Sequence, residues 1–327
     1  MNKLAFIALL LIFSTQAHAE WHSDTQGIMG TEVNVTLWHD DKAQARGAID
    51  AVMTELRRID ALLSPYKDDS ELSRVNASAS DSAYSLSDEL NFLIDKSLYF
   101  SRISEGAFDI TFASVAQHYD YRDKQQPTNE LVDELLAAID YRWLQYDKSA
   151  KTLQFKHPKV KIDLGGMAKG WAVDRAINIV KEFGVSHASV SAGGDSKVLG
   201  DRRGRPWIVG IKHPRLDKNQ PEAVIRLPLE NVAISTSGDY ERYFIDEQSG
   251  ERVHHIINPQ TGRSASEVMS VTILGDQGFD TDPLSTSVFV LGVEKGLALV
   301  NRLPNFDAII IDIRGKVHYS SGLASGE

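Results

Sequence analysis

The chain has 327 residues, a formal net charge of −10, 42% hydrophobic and 24% charged residues, and no cysteine. These proportions suit one large globular domain or two closely joined ones, and the acidic balance argues against a nucleic-acid partner, since no basic stripe is available to offset phosphates. Without cysteine neither a disulfide nor a lipidated N-terminal cysteine is possible, so the fold must stand on its core even in an oxidising compartment.

The first element in chain order is a leader. Asn2 and Lys3 precede ten mostly apolar residues from Leu4 to Phe13, and Ala17-His18-Ala19 stands before Glu20. This charged, apolar, small-x-small order predicts a secretory signal cleaved after Ala19, and hence an exported, periplasmic protein. Ten apolar residues are too few for a helix to span about 30 Å of hydrocarbon, and no later run approaches about 18, so no transmembrane segment is expected.

Thr31 to Leu37 alternates, with Val33, Val35 and Leu37 on one side, as a half-buried strand does. From Asp41 to Leu63, Ala45, Ile49, Val52, Met53, Leu56, Ile59 and Leu63 recur at helical spacing. Helices are predicted over 87–103, stopping near Gly106, and over 128–139. Leu153-Gln-Phe155 and Val160-Lys-Ile162 flank His157-Pro158 and predict a hairpin that feeds Asp163. A helix over 169–183 turns Val173, Ala176, Ile177, Val180 and Phe183 inward and stops at Gly184. Strands follow over 187–191, 207–211, 223–227, 232–235, 243–245, 253–257 and 268–274, with Asp201-Arg-Arg-Gly204 and Gln248-Ser-Gly250 as hairpin loops. A helix over 281–302, with a break available at Gly292, leads to a buried strand over 307–313 and a tail frayed from Gly322 to Glu327. Strands and helices mix without a strict βαβ repeat, which predicts an α+β class, with mixed or antiparallel sheets and packed helices in one domain over 20–327.

The chemistry concentrates at Asp163-Leu-Gly-Gly-Met-Ala-Lys-Gly-Trp-Ala-Val-Asp174. Gly165 and Gly166 let backbone approach a ligand, the helix beyond offers free N–H groups to an anion, and Lys169 adds a point charge. A phosphate cradle and a plain tight turn both fit; neither a Walker loop nor G-x-G-x-x-G is present. Further glycine-polar clusters are Ser191-Ala-Gly-Gly-Asp195, Ser235-Thr-Ser-Gly-Asp-Tyr240, His254-His-Ile-Ile-Asn-Pro-Gln-Thr-Gly262 and Asp282-Pro-Leu-Ser-Thr286. Asp282 and Thr286, four apart, share a helix face and can hold one hard cation with a backbone carbonyl; an N-cap Asp and a surface Thr give the same spacing. Ser64-Pro-Tyr-Lys67 matches the S-x-x-K of serine acyl-enzymes, but the Ser-Asp-Asn element is absent and Gln260 stands where K-T-G needs lysine.

Together and in this order, these runs closely resemble the ApbE-type FAD:protein FMN transferases. Met29-Gly-Thr31, Ser64-Pro-Tyr66, Asp69-Ser-Glu-Leu-Ser-Arg-Val-Asn76 and Gly106-Ala-Phe-Asp-Ile-Thr111 fit as well, so the resemblance spans roughly 27–300. It implies a fold related to the T-fold with FAD in a cleft, contacted by Met29, Tyr66, Ala107, Phe108, Asp109, Asp163, Lys169 and Ile256. It implies Mg²⁺ at the diphosphate, held by the Gly166 backbone, Asp282 and Thr286, with Ser285 as a further donor. The implied reaction transfers FMN from FAD to a Thr or Ser hydroxyl of an exported acceptor flavoprotein and releases AMP. Phe108 and Tyr66 suit stacking on planar rings, and one carboxylate, one hydroxyl and one carbonyl form the partial shell that Mg²⁺ completes with substrate phosphates.

His255, beside Ile256, is the expected general base, since imidazole titrates near working pH; the competing reading is a histidine that hydrogen-bonds the cofactor or packs in a strand. His254 faces the other way and is expected to be a bystander. Two competing functions are FAD hydrolysis to FMN and AMP, and flavin storage without turnover. Storage would need neither a base nor the Asp282 and Thr286 pair. The sequence departs from the family pattern at Asn258, where many relatives have Asp, and at Ala116-Gln-His-Tyr-Asp-Tyr-Arg-Asp123, in place of a tryptophan-containing segment. The second departure bears on the cleft mouth and on which acceptor docks there.

Overall fold

The alternating segments assemble into one antiparallel meander. The computed structural model describes residues 20–215 and 223–325, so the leader expected over 1–19 lies outside the described residues. Strands β1 (Glu20–Ile28), β2 (Thr31–His39), β3 (Ala188–Ala192), β4 (Asp195–Leu199), β5 (Ala233–Gly238), β6 (Val268–Gly275), β7 (Asp307–Asp312) and β8 (Val317–Tyr319) lie side by side in chain order. Every neighbouring pair is antiparallel. The class is α+β, as the sequence predicts.

One face of the sheet carries helices α1 (Lys42–Leu63), α3 (Ala168–Glu182) and α4 (Gly278–Asn301), and α2 (Asp88–Ile103) packs against α4. α1 lies on β1 and β2, α3 on β3 and β4, and α4 on β5 and β6, each helix touching the next. Helix starts follow their caps: the Asp41 side chain accepts from the Ala43 and Gln44 N–H groups, and Ser87 from that of Leu90. α3 ends at Gly184, whose φ of 76° closes the helix in the left-handed region. On the opposite face, the ribbon of Trp207–Lys212 and Ala223–Leu229 covers β6 and β7 through Ile211, Met269, Ile309 and Ile311. β6 is therefore buried at every residue, between two layers.

α4 has a mean hydropathy of 1.4 and the length of a membrane span, but 61% of its most apolar stretch is buried, as in a central core helix. Gly292, at φ 76°, breaks it where the sequence allows. α3 and α4 cross with their backbones in contact: a Cβ on Gly170 would overlap the carbonyl oxygen of Gly278 and lie 2.7 Å from the Asp282 Cβ. Gly170→Ala is accordingly expected to destabilise the fold by about 3 kcal/mol or more. A fall in Tm of about 5–10 °C should accompany it; calorimetry showing an unchanged Tm would refute this close packing.

Four local expectations need correction. Val160 to Ile162 is not a strand, because side chains satisfy its backbone: Asn76 bonds both the N–H and the C=O of Ile162, and Ser114 Oγ accepts from the Lys161 N–H. Thr152–Phe155 pairs instead with Leu144–Asp147. The expected strand over 253–257 is two short ones, Arg252–His254 and Ile257–Asn258, split at His255 and Ile256. Residues 201–204 join β4 to the separate ribbon rather than closing a hairpin. The tail holds a short helix, Ser321–Ser325, and residues 326–327 lie outside the described ones. Gln248-Ser-Gly250 does close a hairpin, between Tyr243–Ile245 and Arg252–His254.

Candidate active site

The 163–170 bend is anchored before it reaches any ligand. The Asp163 N–H donates to the Ile110 carbonyl at 2.9 Å, which ties the bend to the segment carrying Ala107, Phe108 and Asp109. Its Oδ1 accepts from the Gly165 N–H at 2.6 Å. Burial raises the Asp163 pKa, while that hydrogen bond and the charges of Arg242 and Lys169 favour the carboxylate. At Gly166 a Cβ would stand 3.1 Å from the Phe108 ring and 3.3 Å from Thr286 Oγ1. A side chain here would crowd both neighbours, and its absence brings the backbone of Gly166 and the hydroxyl of Thr286 together across the fold.

Lys169 lies 2.6 Å from Asp195 Oδ2 and 3.7 Å from Asp282 Oδ2. Burial opposes its charge, but the two carboxylates outweigh burial and hold its pKa above the usual lysine range. Asp282 is 3% exposed and accepts from the Gly170 N–H at 3.0 Å. Burial, then the charge of Asp195, push its pKa upward against Lys169 and that N–H. Asp282 sits in the second turn of α4, so it is not the helix cap. Its near neighbour Ser285 donates to the Asp282 carbonyl and shares a 2.8 Å hydrogen bond with Ser237, whose Oγ is also 3.3 Å from Thr286 Oγ1.

α4 is held in this register from outside. Its first residues carry no side-chain cap of their own, and Asp174 of α3 accepts from the Phe279 N–H at 2.9 Å. Buried Lys197 bridges Asp174 Oδ1 at 2.6 Å and Gln277 at 2.9 Å. The acid that closes the 163–174 motif thus positions the helix bearing Asp282 and Thr286.

The two adjacent histidines divide their roles. His254 is buried, with Nε2 2.7 Å from the Ala265 carbonyl and Nδ1 accepting from the Ile256 N–H at 3.3 Å, so it pins the turn instead of standing idle. His255 is half-buried, and its buried Nδ1 has no hydrogen-bond partner. Burial, followed by the charges of Arg242, His254 and Lys169, pushes its pKa down to about 3, so the ring is neutral near pH 7. A buried ring nitrogen without a partner is an exception that calls for an explanation, and a role in proton transfer to a bound substrate supplies one. Ile256 is 6% exposed, and its carbonyl accepts from Ala265, leaving only a small apolar face for a ligand.

Asp109 is committed to the protein. Its carboxylate accepts from the Thr111 N–H and hydroxyl and from the Tyr141 N–H, and burial raises its pKa to about 6 against these bonds. Its carboxylate is therefore engaged within the protein, not turned to a ligand. Met29 and Gly30 form the tight turn between β1 and β2, with φ of 57° and 67°. Tyr66 stands 85% exposed at the rim, within electrostatic reach of Asp163 and Arg242. In the 116–123 segment, Tyr119 donates to the Gly262 carbonyl and Tyr121 to that of His254, and their rings stack at 5.9 Å. That segment therefore braces the turn carrying His255. Asn258 caps the following turn, accepting from the Gln260 N–H.

The structure thus gathers Phe108, Gly166 and Thr286; Lys169 and Asp282; Asp163 beside the 107–110 segment; and His255 beside the 240s loop. Sequence reading missed Asp195, Ser237, Asp174 and Arg242, although the first two stood in the Ser-Ala-Gly-Gly-Asp and Thr-Ser-Gly-Asp-Tyr clusters. Among the described residues no group of three or more His, Cys, Asp or Glu can hold a metal. The Gly166 backbone, Asp282, Ser285 and Thr286 offer only hard oxygens in an incomplete set. Such a shell fits Mg²⁺ completed by phosphate oxygens, and the lack of a Cβ at Gly166 keeps its backbone close to the Thr286 hydroxyl.

The model of the ApbE family matches residues 29–310. The FAD:protein FMN transferase of Escherichia coli is 31% identical over 318 residues, 92% of this chain and 90% of that protein, and that of Vibrio cholerae is 30% identical over 97% and 96%. Among solved structures, the ApbE protein of Thermotoga maritima superposes with a TM-score of 0.85 at 30% identity, covering 94% of this chain and 99% of that one. The flavin transferase ApbE of Vibrio cholerae does so at 0.82 and 28%, with the same coverage.

Proposed function

This chain belongs to the ApbE family, and on that premise we propose that it is a flavin transferase that moves FMN from FAD to a Thr or Ser hydroxyl of an exported acceptor protein. The reaction is Mg²⁺-dependent and releases AMP, and its place is the periplasm, on the strength of the leader-like first 19 residues. The observation that carries the reading is the meeting of Gly166 with Thr286, and of Lys169 with Asp282, at one strand-free bend.

Bound by Gly166, Asp282 and Thr286, Mg²⁺ would neutralise diphosphate charge and favour in-line displacement. Phe108 and Ala107 wall the cleft, and Lys169, held by Asp195, supplies a fixed positive charge. His255 takes the proton of the acceptor hydroxyl as its oxygen forms a bond to the FMN phosphorus. The bond from that phosphorus to the bridging oxygen breaks, and AMP leaves with the electron pair. A neutral base beside Lys169 and Arg242 is stabilised in its protonated form only as negative charge gathers on the phosphates, which links proton transfer to bound substrate.

The test is to incubate purified protein with Mg²⁺, FAD and a peptide carrying an acceptor Thr. Mass spectrometry should find an FMN–peptide adduct with one AMP released per adduct. Free FMN and AMP with every acceptor would mean hydrolysis instead, and no AMP at all would refute turnover.

A further inference from the structure

The loop after Thr-Ser-Gly-Asp-Tyr240 places a guanidinium at the site that no motif assigned. Arg242 is exposed and has no carboxylate within ion-pair distance among the described residues. Its side chain makes one long hydrogen bond, from Nη2 to the Gly30 carbonyl at 3.3 Å. Its backbone is better fixed, because the Arg242 carbonyl accepts from the His255 N–H at 3.2 Å. These two bonds place Arg242 between the turn of His255 and the Met29-Gly30 turn, and its charge acts on Asp163, Lys169, His255 and Tyr66.

We propose that Arg242 is a substrate-binding residue whose guanidinium grips the diphosphate of the bound dinucleotide. The inference rests on the reading of the cleft as a dinucleotide site. Three features point to this ligand: an exposed fork of donors without a carboxylate partner among the described residues, a main chain bonded to that of His255, and a second cation, Lys169, whose charge acts on the same groups. A planar fork matches two phosphate oxygens at once, as an ammonium cannot. The bond to Gly30 is a resting position that also aligns the Met29 turn; a phosphate is the stronger acceptor and draws the head group inward. Phosphate charge beside Arg242 would then offset one of the cations that disfavour a proton on His255.

The experiment measures affinity for ADP with Mg²⁺ and for riboflavin, which lacks phosphate, in the full chain and in Arg242→Ala and Arg242→Lys. The expected result is a loss of at least about tenfold in ADP affinity for Arg242→Ala, with riboflavin affinity within about twofold of the parent. Arg242→Lys should recover part of the ADP affinity, most at low salt. If Arg242→Ala fails to fold, Arg242→Gln, which can still donate to Gly30 but carries no charge, is measured in its place. Unchanged ADP affinity, or equal weakening for both ligands, would overturn the proposal, the latter because a merely structural tie to Gly30 would affect both. A chain that loses ADP affinity on substitution yet transfers no FMN would refute the transferase reading and leave Arg242 as a phosphate ligand.

Discussion

Asp282→Ala is expected to lower Mg²⁺-dependent FMN transfer at least about a hundredfold while part of the flavin affinity remains. Asp282 supplies the only carboxylate of the partial shell, and Gly166, Ser285 and Thr286 together offer no formal charge to replace it. The same substitution leaves the buried Gly170 N–H without its acceptor, so some stability is lost as well. Asp282→Asn separates the two effects: its amide oxygen can still accept from Gly170, and it should keep a Tm close to that of the parent chain while losing most of the rate. Steady-state rates across a Mg²⁺ titration decide the matter. A rate within about threefold of the parent at saturating Mg²⁺ would remove Asp282 from the metal site.

His255→Ala is expected to keep FAD binding and to lose about 10²–10⁴ in the transfer rate. Because burial and the neighbouring charges push the His255 pKa down to about 3, its ring should remain neutral in the free protein at pH 5, where an ordinary histidine is protonated. Ring nitrogen shifts in NMR read this directly. A ring that protonates near pH 6.5 would mean that burial and these charges do not act on it as described, and a variant with an unchanged rate would return His255 to a packing role.

Most of the framework was legible because it follows local rules. Asp41 and Ser87 cap where Asp and Ser should, Val33, Val35 and Leu37 alternate as a half-buried strand does, and Gly292 breaks α4. Val160 to Ile162 misled because its apolar spacing is real while its hydrogen-bond partners are side chains from distant segments, Asn76 and Ser114. No periodicity encodes that. The candidate site was legible wherever a residue type is chemically restrictive, as with Gly166, Asp282 and His255. It was not where a role depends on what stands opposite: Asp195 matters because Lys169 reaches it, Asp174 because α4 starts beside it. His254 shows the same limit, since sequence gives its strand face but not the Ala265 carbonyl that makes it a pin.

Although the sheet runs in chain order, its second and third strands are joined only after the entire 40–187 excursion, and the donors on α4 come after the fifth and sixth strands. Closing so long a loop makes folding slow relative to helical proteins of similar size. It also means that a growing or partly threaded polypeptide lacks a complete ligand cradle until its final segments arrive. The candidate site is thereby assembled only once α4 has packed against α3.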